Sequence, residues 1–284
     1  MKVLYVAGYG RSGTTLLDRS LGQTNGVLSL GELALAGRVA ADESHTCSCG
    51  EELTKCSLWR EIPSFPPVPS EHLGLLLPVP RMKRKRVGSR AAWSRFFDSI
   101  EAALDDTAVI VDSSKTTYAR AARPWLLAAE GHAVFPVLIW RDLPSVLESR
   151  AAARSARGER SMSWVVLAEG FISWTFANVV GLIAVWKLKG RVIAFDDLVD
   201  DKDELANWLV GEAEEQFGTR VAFGKSSDQG HQIAGNRMRL GEGLAGSRVS
   251  RPKLTTAQRA VFGSISKPLT SILRRRGART MAND

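Results

Sequence analysis

A glycine-rich segment near the start of the chain has the residue types and spacing of an anion-binding loop. Three glycines and two threonines follow an apolar run over residues 3–7: Gly8, Gly10, Gly13, Thr14 and Thr15. Glycine permits tight turns and lets the backbone approach a ligand closely. The first amides of a helix point along its axis and, with the helix dipole, attract phosphate and similar anions. The segment therefore predicts a phosphate-binding cradle between a first strand and a first helix.

The basic residue of this loop stands before the last glycine rather than after it. In nucleoside triphosphatases the pattern is G-x-x-x-x-G-K-S/T, with the lysine on the β- and γ-phosphates. Gly8 and Gly13 have that spacing, but Thr14 occupies the lysine position and Arg11 precedes the last glycine. A P-loop kinase or nucleotide hydrolase stays open as an alternative, because Asp112 ends an apolar run in the manner of a magnesium-site strand. The missing lysine would be the main phosphate-binding side chain of such an enzyme.

A second candidate anion site follows a later apolar run, residues 134–140. Arg141 comes directly after this run, Pro144 is placed to begin a helix, and Ser149 lies eight positions after the arginine. Open α/β sheets bind their ligands at the carboxyl edge, where Arg141 is expected to lie. A guanidinium group can bind a phosphate through two hydrogen bonds, and a serine hydroxyl can satisfy a remaining oxygen.

Strand and helix patterns alternate along the chain, which predicts an α/β fold with a parallel sheet covered by helices on both faces, a three-layer α/β/α domain. The expected strands cover residues 3–7, 26–30, 108–112, 134–140 and 191–195. The expected helices cover residues 14–22, 92–104, 118–130, 144–154, 162–187, 204–217 and 255–275. We expect one domain over 1–284, with an insertion or lid over 41–90 and an irregular loop over 225–252.

Charge and composition set the classes of partner that are expected. The net charge is +8, which suits an acidic ligand, a nucleic acid or a membrane surface. A nucleic-acid-binding protein using the basic runs 81–86 and 274–276 is a further alternative, although no recognition module supports it. The first strand begins by residue 3, and the apolar stretch Phe176–Trp186 is too short to span a bilayer. We therefore expect a cytoplasmic protein without nucleic-acid or membrane partners.

The two motifs together resemble the sulfotransferase family that uses 3′-phosphoadenosine-5′-phosphosulfate (PAPS). The segment over residues 11–15 is similar at every position to the family's 5′-phosphosulfate loop, Lys/Arg-Ser-Gly-Thr-Thr. Arg141 and Ser149 match the arginine and serine that bind the 3′-phosphate in that family. The resemblance is nearer to bacterial, Golgi and tyrosylprotein-type members than to the vertebrate cytosolic enzymes. It implies a P-loop-like sulfotransferase fold and PAPS as co-substrate, with no metal required.

Three weaker segments extend the resemblance and imply roles for further residues. Glu32 is similar to a catalytic base, and Lys115 to a lysine that contacts the transferring group. The segment HQIAGNRMR over residues 231–239 is similar to a loop that closes over the nucleotide. The implied catalytic residues are Glu32, Arg11 and Lys115. The implied cofactor-binding residues are Gly10, Arg11, Ser12, Gly13, Thr14, Thr15, Arg141, Ser149, Gly235, Asn236 and Arg239.

The resemblance leaves the identity of the base open and gives the acceptor only by class. His45 and His231 are alternatives to Glu32 as base, since the cytosolic branch of the family uses a histidine. The implied reaction moves a sulfuryl group to a hydroxyl or amine of a small molecule, glycan or natural product.

Three cysteines and a histidine lie within twelve residues and could ligate zinc: His45, Cys47, Cys49 and Cys56. The alternative is that the thiols pack with Trp59 in a purely structural role. Some bacterial sulfotransferases carry a similar Cys-x-Cys-Gly segment.

Overall fold

Five strands form a single parallel sheet in the part of the chain that the computed structural model describes. These residues are 1–42, 45–66, 87–104, 109–116, 120–156, 158, 162–219, 230–235 and 254–281. The strands are Lys2–Gly8 (β1), Val27–Ser29 (β2), Val109–Asp112 (β3), Ala133–Trp140 (β4) and Arg191–Ala194 (β5). Their order across the sheet is β2-β3-β1-β4-β5, so β1 occupies the centre.

Helices connect these strands and cover both faces of the sheet. They are Thr14–Leu21 (α1), Ala36–Ala40 (α2), Val87–Ala103 (α3), Arg123–Ala129 (α4), Leu143–Ser155 (α5), Trp164–Lys187 (α6), Phe195–Asp200 (α7), Lys202–Phe217 (α8) and Thr256–Met281 (α9). Short 3₁₀ turns lie at Leu33–Leu35 and Trp59–Glu61.

Alternating side chains of β1 belong to two separate hydrophobic cores. Val3 and Tyr5 belong to the core that α3 and α6 cover, whereas Leu4 and Val6 belong to the core that α1 and α8 cover. Successive residues of a strand point to opposite faces, so a sheet buried on both sides needs apolar residues at every position. The predicted three-layer α/β/α fold is therefore confirmed.

The centre of the sheet brings the two predicted anion-binding segments together. β1 and β4 are hydrogen-bonded neighbours, with Gly8 in register with Ile139. The loop after β1 and the turn after β4 consequently leave the same edge side by side. Gly8 has φ +140°, and a Cβ there would lie 2.5 Å from the Ile139 carbonyl oxygen, so only glycine fits this close approach.

Helix α6 extends beyond the apolar stretch 176–186 at both ends. The whole helix has 24 residues and a mean hydropathy of 1.6 over its most apolar 18-residue window, so it could cross a bilayer by length and composition. In the structure Trp174 and Ala177 are fully buried against the sheet, while Trp164 and Trp186 on its other side are exposed. The helix is thus part of the core on one face.

The expected insertion over 41–90 and the loop over 225–252 are described only in part. Residues 45–62 pack inward, with Cys47, Cys56 and Trp59 buried in the core beside α3. Residues 230–235 run alongside β2. The basic run 81–86 lies outside the described residues, and 274–276 are exposed on α9 rather than in a frayed tail.

Candidate functional site

A cleft of about 760 Å³ opens at the carboxyl edge of the sheet. Most of the residues that the sequence singled out line it: Gly10, Arg11, Gly13, Thr14, Thr15, Glu32, Lys115, Arg141, Ser149 and Gly235. Ser12 is buried behind the loop and is not among the lining residues. Asn236 and Arg239 lie outside the described residues. Segments that are far apart in sequence thus meet in one cavity.

The loop between β1 and α1 is held in a tight turn. The Ser12 N–H donates to the Tyr9 carbonyl oxygen at 3.2 Å, and Gly13, with φ +97°, is the N-cap residue directly before α1. A Cβ at Gly13 would lie 2.5 Å from Cδ2 of Phe195. The first amides of α1 have no acceptor within the helix, because the preceding turn is absent. Gly13, Thr14 and Thr15 line the cleft, so this end of α1 is placed where a bound anion could reach it.

Glu32 lies at the centre of a three-residue ion cluster. Its carboxylate accepts hydrogen bonds from Lys115 Nζ and, at 2.6 Å, from Arg120 Nη1. Burial alone would raise the pKa of Glu32, but the two cations outweigh burial and lower it. Glu32 is therefore an ionised carboxylate at neutral pH. Arg120 also donates to the Ser114 carbonyl oxygen at 3.0 Å, which fixes it to the segment after β3.

Arg141 and Ser149 reach the cleft from the turn after β4 and from α5. The Asp142 carboxylate caps α5 by accepting from the Ser145 N–H at 2.9 Å. The Arg141 guanidinium carbon lies 4.2 Å from the centre of the Phe195 ring, a cation–π contact. Trp174 Nε1 donates to the Arg141 carbonyl oxygen at 3.0 Å. The arginine is thus fixed at both its backbone and its head group.

Several residues of the site were not predicted. Arg120 contacts Glu32 although it lies 88 residues away in the chain, and no local sequence pattern indicates this contact. Arg150 donates to the Tyr9 hydroxyl, and both residues line the cleft. Lys202 also lines it. Phe195 lines the cleft as well, and its contact with Arg141 was not predicted.

The structure bears on the two alternative assignments. Asp112, the candidate magnesium ligand of a kinase, is fully buried, accepts from Arg123 Nε at 2.7 Å and does not line the cleft. His45 and His231, the alternative bases, do not line it either. His45 Nε2 lies 2.6 Å from the Ile233 carbonyl oxygen, and His231 Nδ1 faces thiols. Among these candidates, Glu32 alone has its carboxylate or ring in the cleft.

The cysteine cluster forms with a different histidine from the one expected. Cys47, Cys49 and Cys56 converge on His231, and the four ligand atoms lie within 4.8 Å of one another. His45 is not a member, because its ring is engaged by the Ile233 carbonyl group. The expectation that His45 completes the set is therefore wrong. Burial raises the pKa of the Cys47 thiol, and likewise that of Cys56.

Comparisons with known proteins give a remote structural similarity and no sequence relative. No protein-family model and no curated protein match the chain. A solved structure titled "Sulfotransferase Domain from the Curacin Biosynthetic Pathway" is similar, with 18% sequence identity and a TM-score of 0.42. The similarity covers 86% of this chain and 81% of that one. A likeness this remote assigns neither a reaction nor a substrate to the present chain.

Proposed function

We propose that the protein is a sulfotransferase that moves a sulfuryl group from PAPS to a hydroxyl or amine of an acceptor. The observation that carries this proposal is the union of two anion-binding elements in one cleft. The loop over 10–15 supplies helix N-terminal amides, and Arg141 with Ser149 supplies a guanidinium and a hydroxyl. A volume of about 760 Å³ lies within the range of ligand sites. A nucleotide with phosphates at both its 5′ and 3′ positions satisfies both elements at once.

The charge of the cleft supports a polyanionic ligand. One carboxylate, that of Glu32, lines it against five cations: Arg11, Lys115, Arg141, Arg150 and Lys202. Glu32 is itself paired with Lys115. A donor with a sulfate and two phosphate groups carries negative charge that complements this excess of cations.

The cleft residues would have two tasks, to stabilise the leaving oxygen and to deprotonate the acceptor. The acceptor oxygen or nitrogen attacks sulfur, the bond from sulfur to the 5′-phosphate oxygen breaks, and negative charge gathers on that oxygen. The α1 amides, Arg11 and Lys115 would stabilise this charge, because preorganised donors act strongly in a cleft that holds little water. Glu32 would take the proton from the acceptor, since an ionised carboxylate within reach is a competent general base.

The absence of a kinase-type clamp separates this proposal from the nearest alternative. Thr14 stands where a phosphate-binding lysine would be, and Asp112 is held by Arg123 rather than presented to the cleft. A reaction that needs no metal fits this arrangement. We further propose a small molecule, glycan or natural product as acceptor, a cytoplasmic location, and no nucleic-acid or membrane partner.

Calorimetry on the full chain tests the donor assignment. Adenosine 3′,5′-bisphosphate, the product left when PAPS loses its sulfuryl group, should bind with magnesium omitted and chelator present. ATP with magnesium should bind much more weakly. Binding of ATP that depends on magnesium, with no binding of the bisphosphate, would contradict the proposal. Transfer of labelled sulfuryl groups to a panel of metabolites then identifies the acceptor.

A further inference from the structure

Three thiols and an imidazole meet on the side of β2 away from the cleft loop. Cys47 and Cys56 are fully buried, and Cys49 and His231 are half-buried. The thiols come from residues 45–56 and the imidazole from residues 230–235, so the cluster joins two segments about 175 positions apart. None of the four residues lines the proposed donor cleft.

Three separations within the cluster are close to those of a metal coordination shell. A tetrahedral zinc ion, with Zn–S bonds of about 2.3 Å and Zn–N bonds of about 2.0 Å, sets two sulfur atoms about 3.8 Å apart and sulfur and nitrogen about 3.5 Å apart. Cys49 Sγ and Cys56 Sγ are 3.8 Å apart. His231 Nδ1 lies 3.3 Å from Cys56 Sγ and 3.8 Å from Cys47 Sγ.

Backbone N–H groups donate to two of the three sulfur atoms of the cluster. The N–H of Cys49 donates toward the sulfur of Cys47, and the N–H groups of Leu58 and Trp59 donate toward the sulfur of Cys56. Gly50, with φ +93°, closes the Cys-x-Cys turn by donating to the Cys47 carbonyl oxygen at 3.0 Å. Such second contacts orient metal ligands and offset their negative charge.

The histidine is positioned through its own backbone. Its N–H donates to the Ser29 carbonyl oxygen at 3.0 Å, and its carbonyl oxygen accepts from Trp59 Nε1, also at 3.0 Å. These contacts fix the backbone of His231, and its imidazole Nδ1 faces the thiols. The ligand set is therefore assembled by the fold.

We propose that Cys47, Cys49, Cys56 and His231 bind one zinc ion as a structural site. Four protein ligands leave no open position for a substrate or water, so the ion has no catalytic role. The three thiols lose their protons to solvent as the ion binds. The site would tie residues 45–56 to residues 230–235, which in turn meet the cleft wall. There the Glu32 N–H donates to the Ala234 carbonyl oxygen at 2.9 Å, and Gly235 lines the cleft. This inference does not depend on the proposed reaction.

Metal analysis of the full chain, purified without chelator, tests the site. We expect about one zinc ion per chain that survives gel filtration. His231→Gln and Cys56→Ser should each retain less than about a tenth of that amount. The matched control is His45→Gln, which changes the neighbouring histidine that lies outside the ligand set and should leave the zinc content unchanged.

Cobalt substitution of the wild-type chain gives a second readout that needs no variant. Co²⁺ bound by three thiolates and one imidazole should give intense tetrahedral d–d bands and a thiolate charge-transfer band, and Zn²⁺ should displace it. Wild-type protein that holds no metal and takes up no Co²⁺ would overturn the proposal. So would zinc lost equally by His45→Gln and His231→Gln, or a Cys49–Cys56 disulfide found in protein purified under reducing conditions.

Discussion

Replacing Arg141 by alanine separates a phosphate-binding role from a structural one. The guanidinium carbon lies 4.2 Å from the centre of the Phe195 ring, in the same cleft as the 10–15 loop. A head group already held in place has less freedom to lose when a ligand binds. Arg141→Ala removes that group but leaves the backbone carbonyl that accepts from Trp174.

The expected loss follows from the contact that the arginine would make. A hydrogen bond to a charged group contributes about 1.5–3 kcal/mol, and a guanidinium can make two to one phosphate. We expect adenosine 3′,5′-bisphosphate to bind more weakly by about 2–3 kcal/mol, which is roughly 30- to 150-fold in Kd. Folding should lose only the ring contact, about 0.5–1 kcal/mol, because Arg141 is half-buried.

Titration calorimetry with two nucleotides measures this effect. Adenosine 5′-phosphate lacks the 3′-phosphate, so its affinity should change less than about twofold in Arg141→Ala. Arg191→Ala is the matched control for loss of one positive charge, because Arg191 begins β5 at the opposite edge of the sheet, paired with Glu212. It should affect neither nucleotide. Equal losses for both nucleotides in Arg141→Ala would refute the assignment of Arg141 to the 3′-phosphate.

Three further predictions concern the base, the loop and a buried acid. Glu32→Gln keeps the size of the side chain but cannot accept a proton, so kcat should fall at least about a hundredfold, and stability should fall by about 2 kcal/mol because two cations lose their carboxylate. The control Glu212→Gln breaks an ion pair outside the cleft and should lower stability only. Near-normal kcat in Glu32→Gln would contradict the assignment. Thr14→Lys restores the triphosphatase pattern but should show no magnesium-dependent ATP hydrolysis in a phosphate-release assay, since Asp112 is held by Arg123. Burial raises the pKa of Asp18 to about 7, so the folded state holds a proton that the unfolded chain releases near pH 4. The contribution of Asp18 to the free energy of unfolding therefore falls between about pH 4 and pH 7 and is constant above pH 7. Asp18→Asn should remove this part of the pH dependence in thermal melts, so that the variant gains roughly 4 kcal/mol relative to the wild type between pH 4 and pH 8. An unchanged pH profile would show that Asp18 is ionised in the folded protein.

The strands and most helices were predictable because each leaves a local pattern. The apolar runs of β1 and β4 are long enough to be found without a partner. Helix α7, Phe195–Asp200, was not predicted, since six residues are too few to show a helical period. Helix α3 starts at Val87, five residues before the expected start.

Helix α6 is continuous over its 24 residues, although its sequence contains two glycines. Its internal glycines serve packing rather than interruption. A Cβ at Gly170 would lie 2.6 Å from Leu147 Cδ2, and one at Gly181 would lie 2.6 Å from Leu138 Cδ1. Such contacts depend on which helix or strand crosses at that point, and the sequence of α6 alone does not contain that information.

The site likewise contains residues that local sequence motifs predict and residues that only the fold brings together. The 10–15 loop and the pair formed by Arg141 and Ser149 are local motifs, so their residues could be named from the sequence. Arg120 reaches Glu32 across 88 positions, and His231 reaches Cys56 across 175. Pairings over such separations are set by the strand order, which brings residues 230–235 beside β2. The histidine nearest in sequence was therefore the wrong one.

Two basic residues of the cleft hold unfavourable backbone conformations. Arg11 has φ 76° and Lys115 has φ 67°, values at which a residue other than glycine costs on the order of 1–3 kcal/mol. The surroundings enforce the conformation of Lys115, since its N–H donates to the Val6 carbonyl oxygen at 3.3 Å and its own carbonyl oxygen accepts from the Tyr5 hydroxyl. Glycine at either position would relieve the strain. In the proposed reaction the cationic side chains of Arg11 and Lys115 stabilise charge on the leaving phosphate, which glycine could not do.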